Sequence, residues 1–332
     1  MNTKTDMRAY IEANGNLPPD CVLGYIAWFS VNDAAYDAEQ LVKDFDQLQL
    51  NSSLLPAPLR TDDAFEKASK EIDKFKYAIV GGNTAEILIR EVARDTRTIT
   101  RHMIREVKDS AGRRLLYEKV GELVFYKGAT RGGIVDQSSA RCRAALDPSL
   151  SPSEHDILTP VVRQFTEAYH RFRDFHDGQK IRGILRNYLV YLNAVQMKPS
   201  VYFVHSSRSD ELERLKAFAD GLGTASLMLL PQADLPRLRQ DVIDAFQEEA
   251  VKDLQQVIVD ITKLRASRSG DIRYEAFTKI KKDYDRVMRK ASEYSRTLQI
   301  DQDKTAGAAE LAVDAIMAFQ VDVMKTLDKV VT

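Results

Sequence analysis

Residues 22–31 read VLGYIAWFSV. The run is almost continuously apolar and rich in β-branched and aromatic side chains, which is typical of a strand buried on both faces. It contains Trp28, the single tryptophan of the chain, which we expect to be buried. The pattern predicts a core β-strand near the start of the chain, and the segments that follow it indicate the fold class.

The next segments indicate two helices and then three strands. Helical spacing of apolar residues occurs at 37–50 and 62–75, and strand-like patterns occur at 85–93, 98–107 and 115–126. The loops between successive strands are short and rich in turn-forming residues, which predicts an antiparallel meander.

The second half of the chain opens with a clear helix start. Ser151, Pro152 and Glu154 match an N-cap, a first helical proline and the acidic residue of a capping box. Beyond this helix, the pattern predicts a helix at 179–195, a strand at 201–204, a helix at 209–222 and a strand at 225–230. The last three form a βαβ unit, and from residue 234 the spacing predicts long helices almost to the end.

These elements predict an α+β fold with a mostly antiparallel N-terminal sheet and helices, a central βαβ unit and a C-terminal long-helix hairpin or bundle. The expected organisation is a flexible arm (1–20), an α+β domain (21–127), a linker (128–150), a helical/βαβ domain (151–232) and a helical hairpin or bundle (233–332). A length of 332 residues suits more than one core.

Composition restricts the class of partner and the compartment. The 48 Lys and Arg residues balance 49 Asp and Glu residues, so the net charge of -1 does not match nucleic acid or an anionic membrane across the whole surface. Cys21 and Cys142 are far apart, which argues against a disulfide framework. No signal peptide or membrane span is visible. We expect a cytoplasmic protein, in the host cytoplasm if it is phage-encoded.

No catalytic motif is recognisable. The chain lacks a Gly-x-Ser-x-Gly nucleophile elbow and a complete phosphate-binding loop. His170 and His176 are six residues apart, which does not match the i, i+4 spacing of a helical metal pair. We therefore predict no catalytic, cofactor-binding or metal-ligating residues.

A cluster of basic residues is the strongest indication of binding. Cations and aromatic side chains such as Phe172 and Phe175 alternate in a region of helical spacing, a combination used to hold nucleic acid. Acidic residues dilute the cluster, and aromatic residues at helical spacing are also typical of a core. The candidate nucleic-acid-binding residues are Arg171, Arg173, Lys180, Arg182 and Arg186.

Three segments resemble an uncharacterised protein family of bacteria and their phages. They are Val22-Leu23-Gly24-Tyr25-Ile26-Ala27-Trp28, Leu55-Pro56 leading to Asp63-Ala64-Phe65, and Val201-Tyr202-Phe203-Val204 after a helix containing Ile181-Arg182. Together they span residues 22–230. The resemblance implies a phage or mobile-element origin and provides no active-site residues.

Two hypotheses of function follow. The first is a non-enzymatic interaction or self-assembly protein that forms a homo-oligomer through its C-terminal helices, because their apolar stripes require a partner. The alternative is a nucleic-acid-binding accessory protein that uses the basic helix from Arg163 to Arg186.

Overall fold

A computed structural model of the chain describes residues 18, 21–79, 83–109, 112–131, 134–266, 271–298, 309, 313, 314 and 317, without the side chains of 130–135 and 265–275. Most of the expected N-terminal arm, the turn before residue 271 and most of a third C-terminal helix lie outside the described residues.

The described chain contains both strands and helices. The strands are β1 (Val22–Val31), β2 (Tyr36–Asp37), β3 (Phe75–Ala78), β4 (Thr84–Arg94), β5 (Thr98–Lys108), β6 (Arg114–Tyr126), β7 (Thr130–Arg131), β8 (Ile134–Val135), β9 (Arg141–Leu146), β10 (Phe175–His176), β11 (Val195–Lys198), β12 (Val201–His205) and β13 (Ala225–Ala233). The helices are α1 (Ala38–Gln47), α2 (Thr61–Glu71), α3 (Pro152–Asp174), α4 (Gly178–Tyr191), α5 (Ser209–Gly221), α6 (Pro236–Ala266) and α7 (Asp271–Leu298).

The chain divides into two compact units. One comprises the described residues of 1–32, 48–50 and 182–332, and we call it the β1 unit. The other comprises residues 33–47 and 51–181, and we call it the meander unit. These units are discontinuous in sequence, because β1 pairs with strands that follow it by more than 150 positions. The domains expected from the sequence are consecutive segments.

The meander unit contains a five-stranded antiparallel sheet in the order β3-β4-β5-β6-β9. Register pairs such as Leu88 with Ile104 and Ile99 with Phe125 confirm the predicted meander. Strand β9 lies in the segment expected to be a linker. Its side chains Arg141 and Arg143 are exposed at the edge of the sheet. The glycines and serines that precede it, within 128–139, give the segment the composition of a loop.

Helices α2 and α3 supply the apolar face that covers this sheet. The ring of Phe65 on α2 lies 5.4 Å from that of Phe125 on β6 and 5.8 Å from that of Phe165 on α3. The predicted capping box is confirmed: the backbone N–H and the hydroxyl of Ser151 donate to Glu154 Oε2 at 3.0 and 2.7 Å. Helix α3 continues through Pro160.

The β1 unit contains a four-stranded antiparallel sheet in the order β11-β12-β1-β13. Because β12 and β13 both run antiparallel to β1, they are parallel to each other, and β12, α5 and β13 form the predicted βαβ unit with β1 between its strands. A Cβ atom at Gly24 would collide with the Val204 carbonyl oxygen and the Phe203 ring, so β1 requires glycine there. Trp28, expected to be buried, is half-buried.

Helices α6 and α7 bury their apolar stripes within the β1 unit. Phe246 on α6 stacks on Tyr294 on α7 with ring centroids 5.2 Å apart. The stripes also pack with Leu23, Val195 and Phe203 of the sheet. The predicted C-terminal hairpin is therefore present, and its stripes have partners in the same chain. No helix in the described part of the chain is long and apolar enough to cross a membrane.

Candidate functional site

A cavity of about 380 Å³ opens in the meander unit beside Phe172, and we call it the Phe172 cavity. Its volume falls in the range of small-ligand sites, roughly 300–1,000 Å³. It is assembled from the start of this unit, from helix α2 and from the end of helix α3. The lining residues are Asp33, Ala34, Ala35, Leu59, Lys67, Arg171, Phe172, Phe175, His176, Asp177 and Lys180.

A pair of short strands and a helix cap position the most polar side of the cavity. Strand β10 pairs with β2, which places Phe175 opposite Asp37 and His176 opposite Tyr36. The chain then enters helix α4, where the Lys180 N–H donates to Asp177 Oδ1 at 2.9 Å. Asp177 thus caps this helix, and the N-terminal end of α4, with its partial positive charge, lies at the cavity.

Cations gather around the Phe172 ring. Lys67 Nζ lies 5.8 Å and Arg171 Cζ 5.0 Å from the ring centroid. Arg171 also pairs with the carboxylate of Glu71, while half of its side chain remains exposed. With Lys180, the lining carries three cationic side chains against the carboxylates of Asp33 and Asp177, and the latter is engaged as a helix cap.

His176 is the most buried polar residue of the lining. It is 6% exposed, and its Nδ1 atom has no hydrogen-bond partner among the described residues. Burial lowers the pKa of His176, and the positive charge of Lys180 lowers it further against the opposing effect of Asp177. A buried ring nitrogen without a partner is costly, so a bound group that satisfies it would be favoured.

The arrangement suits a ligand that is both anionic and aromatic. Phe175 is 39% exposed and offers a ring for stacking, whereas the three cations and the α4 N-terminus favour negative charge. A nucleotide of a single strand combines a flat base with a phosphate.

The structure separates the five predicted basic residues. Arg171 and Lys180 line the Phe172 cavity. Arg173 instead pairs with Asp174 at 2.6 Å and lies over the Tyr169 ring. Arg182 and Arg186 belong to the β1 unit, where Arg182 donates to the Val31 carbonyl oxygen and Arg186 is exposed.

Sequence reasoning missed Lys67, His176 and the segment Asp33–Ala35. Lys67 is one of several charges on the exposed face of α2. His176 has the wrong spacing from His170 for a helical metal pair, so the sequence assigns it no role. The alternation of Phe172 and Phe175 with arginines was the available signal. That alternation cannot show that residues 33–35 and 67 come to this end of α3, because only the folded chain brings them there.

Metal and thiol chemistry find little support among the described residues. No group of three or more His, Cys, Asp or Glu side chains in that part of the chain is placed to hold a metal ion. Cys21 is exposed and Cys142 is half-buried, and neither forms a disulfide. Burial raises the pKa of the Cys142 thiol to about 12, which makes it a poor nucleophile.

The chain matches a known protein family over most of its length. A family model described as "Family of unknown function (DUF6744)" matches residues 22–325. No curated protein and no solved structure matches the chain. The family is uncharacterised, as the resemblance seen in the sequence implies, and the match extends beyond residue 230.

Proposed function

Because the chain belongs to the DUF6744 family, whose function is unknown, we propose from its own geometry that it is a nucleic-acid-binding accessory protein. In this proposal the Phe172 cavity receives one nucleotide of a single strand. The base stacks on Phe175, and the phosphates lie against Lys67, Arg171 and Lys180. The protein acts in the cytoplasm.

The observation that carries the proposal is the convergence in one cavity of cations, exposed aromatic surface and a buried histidine whose Nδ1 has no hydrogen-bond partner in the described part of the chain. Any one of these features is common on a protein surface. Together they match the combination by which proteins hold single strands, a positive groove with stacking platforms. The near-neutral chain is compatible with this function because the positive charge is local.

Fluorescence anisotropy with a labelled single-stranded oligonucleotide tests the proposal on the full-length protein. We expect binding at low salt that weakens steeply as salt rises, since phosphate contacts release counterions. The variants R171A and K180A should each weaken binding and lower the salt slope by about 0.7, the value for one phosphate contact on a single strand.

Arg163 provides the matched control. It lies on the same helix as Arg171, is 72% exposed and is within 4.0 Å of a carboxylate, that of Glu167, yet it does not line the cavity. R163A should leave the affinity and the salt slope unchanged. Absence of binding by the wild-type protein at low salt would remove the proposal, and equal losses in R163A and R171A would replace the cavity with a diffuse charged surface.

Self-association is the second candidate. Its support comes from three consecutive apolar residues at the start of β6: Leu115, Leu116 and Tyr117 are 56%, 40% and 47% exposed. Exposed apolar surface of this kind commonly marks a protein contact. The C-terminal helices, expected to mediate the contact, bury their stripes internally. Light scattering on wild type and on L115K/Y117K tests this candidate, and a wild-type monomer at tens of micromolar would exclude it.

A further inference from the structure

A second cavity, of about 190 Å³, lies in the β1 unit between α6 and α7. Its walls combine apolar side chains with two cations and two carboxylates, and its lining residues are Val190, Phe246, Glu249, Ala250, Asp253, Arg286, Val287 and Lys290. We call it the Lys290 cavity. None of its residues takes part in the proposed nucleic-acid site, so it requires its own explanation.

The amine of Lys290 is held in place at the wall of this cavity. Its side chain is 12% exposed, and Nζ donates to the Ala194 carbonyl oxygen at 2.6 Å and to Glu249 Oε1 at 2.9 Å. These two acceptors match the two N–H bonds of a neutral amine. A neutral Lys290 would therefore keep its lone pair available for an electrophile.

The surroundings favour that neutral form. Burial lowers the pKa of Lys290 against the opposing charge of Glu249. Asp253 lines the same cavity, and burial, followed by the charge of Glu249, raises its pKa. A desolvated lysine beside a carboxyl group whose pKa is raised is an arrangement used for nucleophilic amine chemistry.

Arg286 adds specificity for a carboxylate. Its guanidinium lines the cavity, lies 3.9 Å from Asp253 Oδ2 and 3.4 Å from Asp283 Oδ1, and its side chain is 43% exposed. An arginine can bind a carboxylate through two parallel hydrogen bonds. The cavity volume allows a ligand of a few heavy atoms.

We propose that the Lys290 cavity binds a small 2-oxo acid, with its carboxylate on Arg286 and its carbonyl carbon joined to Lys290 as an imine. The Nζ lone pair attacks the carbonyl carbon, and the C=O electron pair moves to oxygen, which takes up the first of the two protons that the nitrogen loses. The nitrogen then loses the second proton as the C=N bond forms, the hydroxyl leaves as water after protonation by Asp253, and Asp253 regains a proton from the nitrogen.

Borohydride trapping with pyruvate on the full-length protein tests this proposal. Hydride adds to the imine carbon and leaves a stable secondary amine, which peptide mass spectrometry locates. Lys281 and Lys282 are exposed on the same helix and serve as internal references. At pH 7 we expect Lys290 to be modified at least about tenfold faster than either, because Lys290 lines the cavity beside Arg286 and the two reference lysines do not.

Two further comparisons separate a binding site from a merely reactive lysine. Lactate, which has a hydroxyl in place of the carbonyl, should give no adduct. R286Q should reduce trapping of pyruvate about tenfold or more relative to trapping of acetone, because acetone has no carboxylate. K290R should abolish the adduct at this position.

The wild-type peptide map decides the matter even if a variant fails to fold. Modification of Lys290 no faster than that of Lys281 would overturn the proposal and leave the Lys290–Glu249 pair as a structural link between α7 and the rest of the unit. Equal effects of R286Q on pyruvate and acetone would overturn the assignment of a 2-oxo acid.

Discussion

The guanidinium of Arg105, in the middle of β5, donates a hydrogen bond to the carboxylate of Glu154 in the first turn of α3. The same carboxylate accepts from the backbone N–H and hydroxyl of Ser151. One side chain therefore both caps the helix and attaches its start to the sheet. The hydrogen bond from Arg105, followed by those from Ser151, lowers the pKa of Glu154 to about 2.

This pair should make stability depend on pH in the acid range. The pKa of Glu154 is about 4.3 in the unfolded chain and about 2 in the folded chain. Its contribution to the free energy of unfolding is therefore fully present above the unfolded pKa. It is lost as pH falls from about 4 toward about 2. Glu154→Gln, which retains a capping-box side chain, should lower the free energy of unfolding at pH 7 by about 1–3 kcal/mol.

Urea unfolding of wild type and E154Q at several pH values measures the effect. The difference between the two proteins should be largest at neutral pH and should narrow below about pH 4. A difference that stays constant down to pH 3 would contradict the pairing of Glu154 with Arg105.

Two glycines of the β1 unit should respond in opposite ways to alanine. Gly24→Ala places a methyl group against the Val204 carbonyl and the Phe203 ring, so we expect a loss of about 1–3 kcal/mol. Gly183 lies in helix α4, where a Cβ atom would meet nothing within 4 Å. Gly183→Ala should be neutral or should stabilise by up to about 1 kcal/mol, because alanine has the higher helix propensity. Thermal melts of both variants decide, and equal effects would disprove the close packing at Gly24.

The two thiols should differ sharply in reactivity. Cys21 is exposed, whereas Cys142 is half-buried and burial raises its pKa to about 12. Because the thiolate is the reactive form, an aromatic disulfide reagent at pH 8 should react quickly with one thiol per chain and with the second only in denaturant. C21S should remove the fast phase and C142S should preserve it. Fast reaction of C21S would show that Cys142 is accessible.

Phe175 should contribute to binding more than to stability. Its ring is 39% exposed, so Phe175→Leu should change the melting temperature little. If a base stacks on the ring, the substitution should weaken oligonucleotide binding by about 1–3 kcal/mol. Tyr126, 42% exposed on β6 and outside the cavity lining, is the control, and Y126L should bind as wild type does. Equal affinity of F175L and wild type would remove the stacking contact from the proposal.

Most of the local structure can be predicted from the sequence. The start of α3 is predictable because a capping box depends on residues three positions apart. Strands β1, β4, β5 and β6 are predictable because strand patterns extend over only a few residues. The antiparallel meander followed from short loops. Edge strand β9 escaped detection because it follows a stretch rich in glycine and serine, which gives the segment the composition of a loop.

Which strands pair and which side chains come together depends on the tertiary structure. The apolar run of β1 does not reveal that its neighbours are β12 and β13, because one apolar strand can pair with many others until the core packs. The contact between Lys290 and Ala194 spans 96 positions, and the Phe172 cavity collects residues from three separate segments. Both candidate sites depend on side chains that come together only when the core folds. The spacing of residues within one segment cannot predict contacts between segments that are far apart in the sequence.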